Sequence, residues 1–155
     1  MCMMPGLRRW DFQCAVDQSS KMKKHWITYI EEWQPGPMTY WVHVEADGRP
    51  WQESSIFDPP LPSPVAGKGF PRFWIEFNGC TFEFASLDEL RVCISTLGQK
   101  LLPTTIRLSQ DRGGGMGPNS HWLSRLPPKT KPWRYRQRAV AYMDKSLTYF
   151  QSEVT

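Results

Sequence analysis

The chain has 155 residues, a formal net charge of +4 and a pI near 9.0, which suits one domain with a core of its own. No apolar run approaches the ~20 residues of a membrane helix, and Met1–Gly6 does not lead into the apolar stretch of a secretory signal. The expectation is therefore a cytoplasmic protein whose cysteines stay reduced, with Cys80 and Cys93 as small buried hydrophobes. The charge is unevenly spread: net +3 over residues 1–24, net −7 over 25–90 and net +8 over 91–155. Such polarisation points to a polyanionic or acidic partner.

Residues 1–21 show mixed polarity and no sustained period, which predicts a loose arm ahead of a single domain at 22–155. Met22-Lys23-Lys24 would serve as an alternative start. Trp26–Ile30 and Thr39–Val44 are β-branched and aromatic, and Gln34-Pro35-Gly36-Pro37 lies between them, so two antiparallel strands are predicted. Trp41 falls on the polar face of the second. From Ser54 to Pro71 five prolines and two glycines rule out a central strand and predict a stiff loop over 54–71. Its P-x-x-P spacing at Pro59 and Pro62 is read as connector rather than recognition motif.

The stretch from Phe70 to Leu102 is the clearest unit. Asn78-Gly79 suits a two-residue type I′ turn, where both residues need φ > 0. That turn sets Phe77 against Cys80, Ile75 against Phe82 and Phe73 against Phe84 on one face. Trp74, Glu76, Thr81 and Glu83 then share the other face. Ser86 with Glu89 three residues on is a capping box, and Leu87, Leu90, Ile94, Leu97 and Leu101 follow at helical spacing, so a helix packs back on the aromatic face. Gly98 is a candidate for its end.

Thr104–Leu108 reads as a short edge strand. A glycine-rich basic loop over 109–131 contains Gly113-Gly114-Gly115, a helical turn at His121–Leu126 capped by Asn119 or Ser120, and Pro127-Pro128. Pro132 starts a last helix, with Val140, Met143, Leu147 and Phe150 on one stripe and Arg136 continuing that row. The fold expected is α+β: an antiparallel sheet of four or five strands, two main helices on its apolar face, and the proline-rich loop over the polar face.

Chemistry is sparse. The glycine loop lacks the G-K-[ST] ending of a P-loop and the strand–loop–helix setting of a dinucleotide site, so no cofactor is expected. His25, His43 and His121 show no zinc-like ligand spacing, so no metal is expected. No catalytic residue is assigned. The main signal is basic: Arg107, Arg112, Arg125, Lys129, Lys131, Arg134 and Arg138, interleaved with His121, Trp122 and Trp133, against the single acid Asp111. Arginine forks pair with phosphates and aromatics stack on unpaired bases. This pattern predicts a non-catalytic nucleic-acid-binding module. The competing use of the same charge is internal, against Glu31, Glu32, Glu45, Glu76 and Glu83. In that case the chain is a small protein-binding inhibitor, immunity-type or accessory protein using Trp41 and Trp74 on an acidic or other protein partner. A metal-independent nuclease built around His121 comes third.

Overall fold

A computed structural model describes residues 13–14, 22–112 and 121–155, the first two by backbone alone. The rest of the expected arm and residues 113–120, with the whole glycine run, lie outside the described residues. The fold is α+β with antiparallel sheets.

The main sheet has three substantial strands. β2 (Lys23–Ile30) pairs with β5 (Phe70–Phe77), and β5 with β6 (Cys80–Phe84). A two-residue piece, β1 (Gln13–Cys14), lies against β6. The β5–β6 hairpin has the register set by its turn, Phe77 opposite Cys80, Ile75 opposite Phe82 and Phe73 opposite Phe84. Asn78 and Gly79 take φ of 47° and 83°, as a type I′ turn requires. All six facing residues are buried.

α2 (Leu87–Leu97) follows β6 directly, and α4 (Trp133–Val154) returns across the same face. Leu90, Cys93 and Leu97 of α2 and Met143 and Phe150 of α4 close the core over Phe73, Ile75, Phe82 and Phe84. Gly98 follows α2 with ordinary helical φ, and it matters for space: a Cβ there would come within 2.8 Å of the Ile94 carbonyl oxygen.

Two elements and one cysteine differ from the sequence reading. The predicted strand Thr39–Val44 is a short helix, α1 (Thr39–Val42), followed by the two-residue strand β3 (Val44–Glu45). β3 pairs with β4 (Phe57–Asp58) in a separate two-stranded sheet. Strand propensity is overridden here because Thr39 and His43 are wholly buried in polar contacts with α2 that an extended chain would not form. Thr104–Leu108 is likewise helical, α3 (Thr105–Asp111), because Thr104 caps it by accepting from the Arg107 amide at 3.2 Å. Cys80 is disulfide-bonded rather than free. In the sheet register Cys14 of β1 stands opposite it, so the arm takes part in the main sheet at that point.

The proline-rich loop also lies elsewhere. Pro62, Pro64, Val65 and Ala66 line a cleft of about 500 Å³ with Leu87, Arg91 and Val154, beside the N-terminal end of α2. On the polar face of the sheet it is the Gln34 carbonyl that reaches Arg72, whose Nε donates to Glu83 at 3.0 Å.

Candidate functional site

The basic segment divides into residues turned inward and residues left at the surface. Arg112, just past α3, donates to the Tyr40 carbonyl at 3.0 Å and to Glu45 at 2.9 Å, with its guanidinium 4.1 Å from the Tyr40 ring centre. It is bound to the acidic middle of the chain. Arg125 donates to the Pro37 carbonyl at 3.1 Å. Trp122 is a core residue, 1% exposed. His121 is buried too, and its Nδ1 accepts from the Leu123 amide at 3.1 Å, which caps the 3₁₀ turn Trp122–Arg125; the expected caps Asn119 and Ser120 lie outside the described residues. Burial and the nearby Arg125 push His121 down to about 4, so near neutral pH it is an uncharged cap rather than a phosphate ligand.

Arg136 is the residue that sequence reasoning placed on the apolar stripe. It is 3% exposed and fixes the end of α2. Its guanidinium donates to the carbonyls of Leu97 (2.9 Å), Lys100 (3.0 Å) and Lys131 (2.7 Å), and to that of Gln99. The carbonyl end of a helix carries partial negative charge, so a buried cation there is favourable. Trp133 lies beside it, ring centre 5.1 Å from the guanidinium carbon.

That arrangement leaves a basic corner where α2 ends and α4 begins. Lys100, Arg134 and Arg138 are exposed, and Lys131 and Trp133 are half-buried. Arg134 and Arg138 are one turn apart on α4. Tyr135 donates to the Phe77 carbonyl at 3.0 Å and ties this corner to the hairpin tip. The first turn of α4 has no acidic residue and no side-chain cap. Positive side chains around the positive pole of a helix repel it, an arrangement that an anion relieves. Arg107 is exposed on α3, and Lys129 is half-buried on the 3₁₀ turn Pro128–Thr130. Lys100 was missed because it lies outside the basic run in sequence; only the Arg136 contacts bring it near.

Of the two tryptophans singled out for protein contact, Trp41 is half-buried, 4.6 Å from the His121 ring, in a small pocket with Leu108 and Trp122. Trp74 lies on the polar face of the sheet, parallel to Trp26 with 5.9 Å between ring centres. Its Nε1 donates to Thr28 at 2.7 Å, and Lys24 sits 5.0 Å over Trp26.

A second polar cluster was legible only in part, as the Ser86–Glu89 capping box; the joining of His43 and Thr39 to it was not. His43, Ser86 and Glu89 converge at the N-terminal end of α2, each 2% exposed or less. His43 Nδ1 lies 2.7 Å from the Pro59 carbonyl, so it carries the proton there, and Nε2 faces Ser86 Oγ at 2.8 Å and Glu89 at 3.8 Å. Thr39 donates to Glu89 at 3.0 Å, and the Ala85 amide to its other oxygen at 3.4 Å. Burial pushes Glu89 up to about 7. The serine–imidazole contact could move a proton. Its serine oxygen, however, already accepts from the Glu89 amide as the helix cap at 3.2 Å, and the imidazole is wholly enclosed. The cluster acts as a polar clamp that joins α1 and the Pro59 segment to α2.

Comparison of the chain with protein-family models, curated proteins and solved structures finds no match. Among the described residues no group of three or more His, Cys, Asp or Glu could hold a metal, and no helix is long and apolar enough to cross a membrane.

Proposed function

We propose that this is a non-catalytic binding module that takes the phosphate backbone of a nucleic acid at the corner formed by Lys100, Lys131, Trp133, Arg134 and Arg138. The observation that carries the reading is the gathering of these cations around the first turn of α4, which itself has no acidic residue and no side-chain cap. Arg112, His121 and Trp122 drop out of the binding set, since each is committed inside the fold. Trp133 supplies an aromatic face beside the phosphate contacts, which suits unpaired bases. The cytoplasmic location expected from the sequence goes with this reading. The disulfide at Cys80 pulls against it, because reducing compartments keep thiols free.

The test is anisotropy of labelled single- and double-stranded DNA and RNA at about 50 and 200 mM salt, where counterion release separates electrostatic binding from the rest. Binding that weakens with salt and is lost in Arg134→Glu/Arg138→Glu, with the fold intact by circular dichroism, supports the corner. Unchanged binding in that variant, or none at low salt, removes it.

A second reading, contact with a protein, is favoured by Trp26 and Trp74. These indoles lie parallel on the sheet face away from α2 and α4, flanked by Lys24, Glu76 and Glu83. Tryptophans in a mixed polar rim are the residues that dominate protein interfaces. Loss of a captured partner in Trp74→Ala, with nucleic-acid binding absent, would decide for it.

A further inference from the structure

β2 is the border strand of the main sheet among the described residues, and its sequence is complementary to itself. The strand order is β1-β6-β5-β2, so among the described residues no strand pairs with the outer side of β2. The strand is eight residues long. It runs Lys23-Lys24-His25-Trp26-Ile27-Thr28-Tyr29-Ile30 and is followed directly, at a bend, by Glu31-Glu32. Both lysines and both glutamates are exposed.

The ladder fixes which backbone groups face outward. The Asn78 amide donates to the Met22 carbonyl at 2.9 Å, and Lys23 stands opposite Phe77. Hydrogen-bonded pairs alternate along an antiparallel ladder. Lys24, Trp26, Thr28 and Ile30 therefore turn their backbone groups toward β5. Lys23, His25, Ile27 and Tyr29 turn theirs to the free edge. An unpaired row of this kind is a template for another strand.

We infer that β2 pairs with β2 of a second copy of this chain, antiparallel about a two-fold axis at Ile27. Only residues with outward backbone groups can sit opposite one another as hydrogen-bonded pairs, and all of them lie on the same face of the strand. Centring on Ile27 sets Ile27 against Ile27, His25 against Tyr29, and Lys23 of one copy against Glu31 of the other, twice over. Lys24 lies diagonal to Glu32 across the seam. A parallel arrangement would set lysine on lysine and glutamate on glutamate, so charge selects the antiparallel one. On the helix-covered face, Tyr149 is 44% exposed and its ring lies 4.9 Å from that of His25, beside the seam. The sheets of two copies then run on as one. Edge pairing alone is a small interface, so association belongs in the range of roughly 1–100 µM.

Sedimentation velocity of the full chain from about 1 to 500 µM, a span that brackets that range, tests the pairing. The wild type is expected to pass from monomer to dimer. Lys23→Glu and Glu31→Lys each place like charges at both ends of the seam and should each weaken the dimer roughly tenfold or more. The double variant Lys23→Glu/Glu31→Lys restores the complement and should recover it. Ile27→Pro removes an outward amide without touching the ladder to β5, and should abolish it. A chain that stays monomeric over this range overturns the inference. So does a dimer that neither charge variant weakens. Hydrogen exchange gives a second reading: the amides of His25, Ile27 and Tyr29 should gain protection with concentration, and protection already complete in the monomer assigns the edge to another segment of the same chain and overturns the pairing.

Discussion

The two ends of α2 are both anchored by residues distant in sequence, yet by opposite chemistry. At the N-terminal end a carboxyl, Glu89, is buried among His43, Ser86 and Thr39 and can shed its charge by taking a proton. At the C-terminal end a guanidinium, Arg136, is buried among carbonyls and keeps its charge at all ordinary pH. The carboxyl clamp makes that end of the helix sensitive to pH. The guanidinium clamp does not titrate, and it binds the start of α4 to the end of α2, which brings Lys131 and Arg134 near Lys100. The basic corner is thus a by-product of how α2 is stopped.

The largest effect should come from breaking the guanidinium clamp. Arg136→Met keeps the length of the stem but leaves carbonyls of Leu97 and Lys100 without their donor. Each buried orphan costs about 1–3 kcal/mol, so a loss of roughly 3 kcal/mol or more is expected. Urea unfolding should show it as a lower midpoint with an unchanged slope. Arg136→Lys should recover little, since one ammonium cannot serve carbonyls spread along a planar fork. A stability loss below about 1 kcal/mol, the worth of a single ordinary hydrogen bond, would show that the end of α2 does not depend on Arg136.

The carboxyl clamp should respond to pH instead. Glu89 moves from an ordinary 4.5 up to about 7 on folding, with burial the main cause and Thr39, Ala85, Arg72 and Ser86 opposing it. A raised carboxyl favours the folded state only while it is protonated. Its contribution is complete below about 4.5 and is lost as pH rises through about 7. At about 1.4 kcal/mol per pH unit, the loss over that window is roughly 3 kcal/mol. Glu89→Gln keeps the acceptor for Thr39 and carries no charge. Its melting temperature should match the wild type near pH 4.5 and exceed it above pH 7. Parallel pH profiles of the two proteins would mean that Glu89 is not held neutral.

The same contrast explains what was readable in advance. The hairpin, its register and α2 follow from Asn78-Gly79, alternation and Ser86, which act within a few residues of themselves. The anchors of α2 do not. Arg136 looked like a gap in an apolar stripe, and its true partners are the backbone carbonyls of Leu97, Gln99 and Lys100, which no side-chain pattern announces. His43 sat in a segment with strand composition, and its burial is decided by Ser86, 43 residues away. The position of Trp74 on the polar face was legible because alternation fixes it, while Trp41 was misplaced along with its strand. The basic run was visible as composition. Which of its members face inward depended on Tyr40, Glu45 and Pro37, all contributed by the α1 region that was read wrongly.

The smallest effect sharpens the comparison from outside α2. His121 is held down to about 4, so its neutral form favours the folded state, and that contribution is complete above about 6.5 and fades as pH falls toward 4. Between about 4.5 and 6.5 it works against Glu89, so the wild-type profile should be flatter there than either group alone would make it. In Glu89→Gln the His121 slope stands alone, and stability should rise with pH through this window. His121→Asn retains an acceptor for the Leu123 amide but gives up the ring contacts with Trp41 and Trp122. A cost of about 1 kcal/mol near neutral pH follows from the lost aromatic contact, together with loss of the acid-side slope. If the slope survives in Glu89→Gln/His121→Asn, the titrating group is neither of these, and the neutral cap at the start of the 3₁₀ turn has been misassigned.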